Sequence, residues 1–145
     1  MSTIRGLLYS AFHGIGLFFV LILIPIGISF CASLLNIQPD ITNIYQKVVN
    51  FPFYLIVFGV LFAPISEEIF FRAFLAGRYG IILSSFLFAI SHIFYNSIFE
   101  IIGVFFIGIA LSYYFVKKSN LIACIIAHLL YNLLSISVIY SIIPK

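Results

Sequence analysis

Two glutamates and an arginine, Glu67, Glu68 and Arg72, interrupt a stretch of sequence that is otherwise almost wholly apolar. On membrane-insertion scales each such side chain costs about 2.5–3.5 kcal/mol at the bilayer centre, so pairing or function must compensate for all three. Glu68 and Arg72 are four residues apart with the acid on the N-terminal side, the favourable order for an ion pair on one helix face. Glu67 points about 100° away round the same helix and is left with no local partner. Apolar surroundings disfavour an ionised carboxylate, which makes Glu67 a stronger base than a surface glutamate.

Polar side chains of the same kind stand in two later apolar segments, as His92 and as His128 with Asn132 one helical turn on. Counted inward at about 1.5 Å per residue from the nearest polar turns, Glu67 lies about 16 Å deep, His92 about 18 Å and His128 about 14 Å. Three separate segments therefore converge on one level. Glu67 with His92 has the parts to hold and activate a water, and His128 with the Asn132 amide offers donors to the oxyanion of a tetrahedral intermediate. The same Glu67, His92 and His128 also form a ligand set known for catalytic zinc, although the local His-Glu-x-x-His signature is absent. No cofactor is demanded by the sequence, and zinc is the one these residues would accommodate.

The elements that must carry this constellation follow from hydropathy. The 145 residues are 64% hydrophobic and 8% charged, with a mean hydropathy of +1.28. A soluble domain cannot hide that much apolar surface, so the expectation is an all-α, polytopic transmembrane helical bundle of about five spanning helices. Residues 14–35 make a first span, too long for a signal-peptide core even though Cys31-Ala32-Ser33 superficially offers a cleavage site. Residues 36–50, with Pro39, Asp40 and Lys47, form the longest extramembrane connection. Residues 51–77 read as one long helix, with Gly59 and Ala63 as a small-residue contact face and Pro64 as a bend that frees the carbonyl of Val60. A tight turn at Gly77–Gly80 leads to spans at 81–95, 101–116 and 121–143, the fourth presenting Gly108 and Ser112 on one face, and Pro144 and Lys145 form a short tail.

Formal charge is +3, but the basic residues are scattered rather than clustered, which excludes nucleic acid as a natural partner and leaves the lipid bilayer. With the N-terminus cytoplasmic, Arg5, Arg78, Lys117 and Lys118 fall inside against Lys47 and Lys145 outside, giving a C-terminus on the outer face. Cys31 and Cys124 lie near opposite ends of their spans and read as small packing residues. His13, Glu100, Tyr95, Tyr113 and Tyr114 suit the interface, while Phe88 and Tyr131 are expected to pack.

Glu67-Glu68-x-x-x-Arg72, Phe88-x-x-x-His92 and His128-x-x-x-Asn132, in that order on successive apolar segments, resemble the CPBP family of CAAX proteases and bacteriocin-processing enzymes. The segment from Leu121 to His128 is similar to that family too, and the resemblance covers about 51–137. It implies an N-terminal anchor helix and loop over 1–50 and an intramembrane catalytic domain over 51–145. It further implies an endopeptidase acting on a peptide or membrane-associated protein, with Glu67 as base, His92 helping to hold the water, and His128 and Asn132 at the oxyanion. Glu68 and Arg72 are supporting residues. The resemblance leaves metal dependence open, and implies a prokaryotic plasma membrane. The alternative is a non-catalytic membrane interaction or bacteriocin self-immunity protein. An ion or proton path is a third reading, disfavoured by the lack of repeats or broken half-helices.

Overall fold

A computed structural model describes residues 3–39 and 42–141. Every regular element among them is helical: α1 (Thr3–Leu34), α2 (Thr42–Val49), α3 (Phe53–Tyr79), α4 (Ile81–Ser91), α5 (Ile98–Lys118) and α6 (Leu121–Ser141). Asp40, Ile143, Pro144 and Lys145, which the sequence placed in the connection, the last span and the tail, lie outside the described residues.

The bundle is apolar outside and buries charged and hydroxyl side chains in its interior. Phe12, Phe19, Phe30 and Phe53 face outward, with Phe12 77% exposed, whereas Glu68, Arg72, Ser84, Ser85 and Ser112 are fully buried. Only a bilayer makes that arrangement favourable, because it solvates the aromatic exterior and the protein interior must satisfy the polar groups. The chain is a membrane-embedded helical bundle. Among the described residues α1, α3, α5 and α6 are long and apolar enough to cross. The third expected span, 81–95, is a shorter apolar helical segment, made of the 11-residue α4 and a 3-10 turn at Ile93–Tyr95.

The packing partners fix the directions. Gly14 of α1 sits against Ile126 and the Ala123 carbonyl of α6, where a Cβ would come within 2.8 Å of the isoleucine. With Ser10 Oγ donating to Asn120 Oδ1 at 3.1 Å one turn nearer both N-termini, α1 and α6 run parallel at close range. Gly108 of α5 meets Ser85 of α4 in the same way, at 3.0 Å from a would-be Cβ, which bears out a small-residue face on that helix. The core between the helices is built from Leu17 and Leu21, Phe71 and Leu75, Phe88, Ile107 and Leu111, Cys124 and Ala127. Cys124 is buried there with its thiol 3.8 Å from the Leu111 carbonyl, whereas Cys31 is exposed and does not pack as expected.

Short polar signals close the helices. Gly80 adopts φ +91°, a conformation open to glycine, and turns the chain from α3 into α4. Ser97 caps α5 by accepting from the Glu100 N–H, and the Asn120 side chain caps α6 by accepting from the Ala123 N–H. The connection after α1 is not simply a loop. It contains α2, whose Asn43 side chain donates to the Asn96 carbonyl at 2.9 Å and whose Lys47 ammonium bonds the Phe94 carbonyl and lies over the Phe94 ring. α2 is thereby fastened over the end of the short α4.

Candidate active site

α3 is one rod whose hydrogen bonding widens into π turns at Phe58–Phe62 and Glu68–Ala76. In the first, the Ala63 N–H reaches back five residues to the Phe58 carbonyl. The next donor in that register would be residue 64, a proline with no N–H, so the carbonyl left over is that of Gly59 rather than the expected Val60. Asn132 of α6 takes it, its Nδ2 donating to the Gly59 oxygen at 3.0 Å. Gly59 thus serves α6 through its carbonyl and not as a contact face, since nothing lies within 4 Å of where its Cβ would be.

One turn beyond Pro64, Glu68 and Arg72 form the expected ion pair at 3.1 Å, both fully buried. The arginine also lies over Phe88, its Cζ 4.2 Å from the ring centroid. Glu68 has a second partner that its spacing did not reveal: His128 Nδ1 is 2.8 Å from its other oxygen. A carboxylate oxygen accepts, so Nδ1 carries the proton and the Nε2 edge faces the other way. Glu67 stands on that side, its Oε2 3.6 Å from Nε2, with 27% of its side chain exposed. Arg72, Glu68, His128 and Glu67 form a continuous run from the closed interior to an accessible carboxylate.

His92 is placed by the end of α4. Its backbone N–H closes onto the Ala89 carbonyl, one residue short of the α-helical partner, and this leaves the Phe88 carbonyl to accept from the His92 Nδ1 at 3.0 Å. That bond puts a proton on Nδ1 and turns Nε2 to the opposite edge of the ring. No direct hydrogen bond joins His92 to Glu67. Both histidines instead pack on Phe88, with ring centroids at 4.9 Å for His92 and 5.8 Å for His128. The structure thus brings His92 and His128 onto one ring, with Glu67 beside His128. Phe88, read as a packing residue, touches Arg72, His92 and His128 at once, and Tyr95, assigned to the interface, stacks on His92 at 6.1 Å.

Among the described residues no three His, Cys, Asp or Glu side chains are grouped so as to hold a metal ion. The arrangement instead offers a partly exposed carboxylate, a neighbouring imidazole edge, a second imidazole, and a fixed amide. These are the groups needed to take a proton from water and stabilise a developing negative charge.

A family model described as Rce1-like, type II CAAX prenyl endopeptidase, matches residues 49–134, more than half of the chain. The matched region takes in α3, α4, α5 and most of α6 and includes all six polar residues of the site. No curated protein and no solved structure matches.

Proposed function

The chain belongs to the Rce1-like family of type II CAAX prenyl endopeptidases, and from that premise we propose an intramembrane endopeptidase in which Glu67 activates the hydrolytic water. The observation that carries the reading is the run from Arg72 through Glu68 and His128 to Glu67, closed at the arginine and open at Glu67. Its substrate is a peptide or a membrane-associated protein whose scissile bond enters at the level of His92 and His128.

In this mechanism Glu67 takes a proton from a water held between its carboxylate and His92 Nε2, and the oxygen attacks the peptide carbonyl carbon. The oxyanion formed lies against the Asn132 amide, which has a second hydrogen beyond the one given to Gly59, and against His128 Nε2–H when that nitrogen is protonated. Collapse breaks the C–N bond, and Glu67 returns its proton to the leaving amine. Glu68 acts on the reaction through His128, whose ring it holds by Nδ1, as a carboxylate orients the histidine of a catalytic triad.

Cleavage of a fluorogenic peptide pool by the full chain in lipid tests the reading, with wild type and Glu67→Gln each assayed with and without a zinc chelator. The expected result is turnover by wild type that chelation leaves intact and Glu67→Gln abolishes. Turnover lost on chelation would replace the metal-free route with a zinc one on Glu67, His92 and His128. Wild-type cleavage by Glu67→Gln would overturn the mechanism, and no cleavage by folded protein would favour a binding or immunity role.

A further inference from the structure

Between α1 and α5, lined by none of the catalytic residues, lies a groove of about 630 Å³ formed by Leu17, Val20, Ala110, Tyr113, Tyr114, Lys117 and Lys118. Its size is within the range of roughly 300–1,000 Å³ typical of ligand pockets. The walls are apolar along its length, and the two lysines come from the last turn of α5, so the groove is greasy within the bilayer and cationic at its end.

Among the described residues no carboxylate compensates the charge there. None of the described ion pairs includes Arg5, Arg78, Lys117 or Lys118. Of the described carboxylates, Glu67 and Glu68 lie midway along α3 and Glu100 in the first turn of α5, at the opposite end from the lysines. The basic side chains lean on rings instead: Arg78 on Phe74 at 4.8 Å and Lys117 on Tyr113 at 5.9 Å. An amphiphile with a long apolar chain and an anionic head matches both parts of the groove. We propose that it binds one anionic phospholipid, with an acyl chain along Leu17, Val20 and Ala110 and the phosphate on Lys117 and Lys118. Neutral zwitterionic lipid fills the apolar part but leaves the lysines without a net counter-charge.

Native mass spectrometry of the full chain, released from micelles doped with phosphatidylglycerol or with phosphatidylcholine, tests this independently of any protease activity. Wild type is expected to retain one phosphatidylglycerol at least tenfold better than phosphatidylcholine. Lys117→Gln with Lys118→Gln should weaken that retention roughly ten- to thirtyfold, as the loss of two surface cations predicts. Ala110→Leu, which fills the groove, should lower it with the lysines intact, and Arg78→Gln, at the same end but outside the groove, should leave it unchanged. Equal retention of the two lipids by wild type, or a double-lysine variant that retains phosphatidylglycerol as wild type does, overturns the proposal. So does an Arg78→Gln loss as large as that of the lysine pair, which would mean general attraction to the charged end. Thermal unfolding without added lipid verifies each fold; should Ala110→Leu unfold, the exposed lysine pair alone decides.

Discussion

Glu68 joins two partners, Arg72 at 3.1 Å and His128 at 2.8 Å, and all three side chains are almost entirely buried. Removing one member of a buried pair leaves the other as an uncompensated charge, which costs about 3–5 kcal/mol. Arg72→Met and Glu68→Ala are therefore expected to lower thermal stability sharply in a detergent melt, whereas Glu67→Gln, at a partly exposed site with a 3.6 Å neighbour, should melt close to wild type. Activity should divide the other way. Loss of a general base costs about 10²–10⁴-fold, so Glu67→Gln should abolish measurable turnover while remaining folded. A Glu67→Gln protein that unfolds, or an Arg72→Met protein as stable as wild type, would contradict this division of roles. The sequence made the Glu68–Arg72 pair legible because four-residue spacing is a local rule. It was silent on His128 as a partner of Glu68, since that contact joins residues 60 apart.

The Pro64–Gly59–Asn132 link belongs to the scale of helices. A proline in α3 leaves one carbonyl over, the π register moves it to Gly59, and α6 supplies the donor. Pro64→Ala restores an N–H that competes for the Gly59 oxygen, and so should loosen Asn132 and reduce kcat about tenfold or more while stability holds or rises. Asn132→Ala strands that carbonyl, at a cost of about 1–3 kcal/mol in an otherwise wild-type chain. In the Pro64→Ala background the stability cost should shrink. A double-mutant cycle on melting temperature measures the difference, and strictly additive effects would mean that the two residues do not act through Gly59. At the α1–α6 contact, Gly14→Leu would force its Cβ to within 2.8 Å of Ile126, and overpacking of this kind costs about 1–3 kcal/mol.

At the scale of the molecule, the end of α4 sets where His92 stands. Because it stops at Ser91, His92 stands near the end of a helix and not in the middle of one, and the turn that follows is roofed by α2 through Asn43 and Lys47. The helix directions put the start of α1, the α3–α4 turn and the α5–α6 turn at one end of the bundle, with Arg5, Arg78, Lys117 and Lys118. Basic residues favour the cytoplasmic side, so we propose that this end, and with it the N-terminus, is cytoplasmic. An impermeant thiol reagent applied to intact cells is then expected to label the exposed Cys31 near the far end of α1 and to spare the buried Cys124. A Ser119→Cys variant, on the α5–α6 turn, should react only after the membrane is opened. Labelling of Ser119→Cys in sealed cells would invert the orientation.

Hydropathy alone determined that this chain is a helical membrane bundle, because each run of apolar residues has to form its own helix in a bilayer whatever its neighbours do. Periodicity along one helix was enough to pair Glu68 with Arg72, to set Glu67 apart, and to put His128 and Asn132 on one face. Counting residues from the polar turns brought Glu67, His92 and His128 to one depth. What only the tertiary structure decided was direction and partnership: that His128 bridges both glutamates, that Phe88 seats both histidines, and that Asn132 is held by Gly59. It also decided that the α-helical part of the 81–95 segment ends at Ser91 and passes into a 3-10 turn at Ile93–Tyr95. The physical reason is common to all of these. Helix rotation and register are set by the side chains of other helices and by backbone groups left unbonded at a proline or a helix end, and neither leaves a periodic trace in the segment being read.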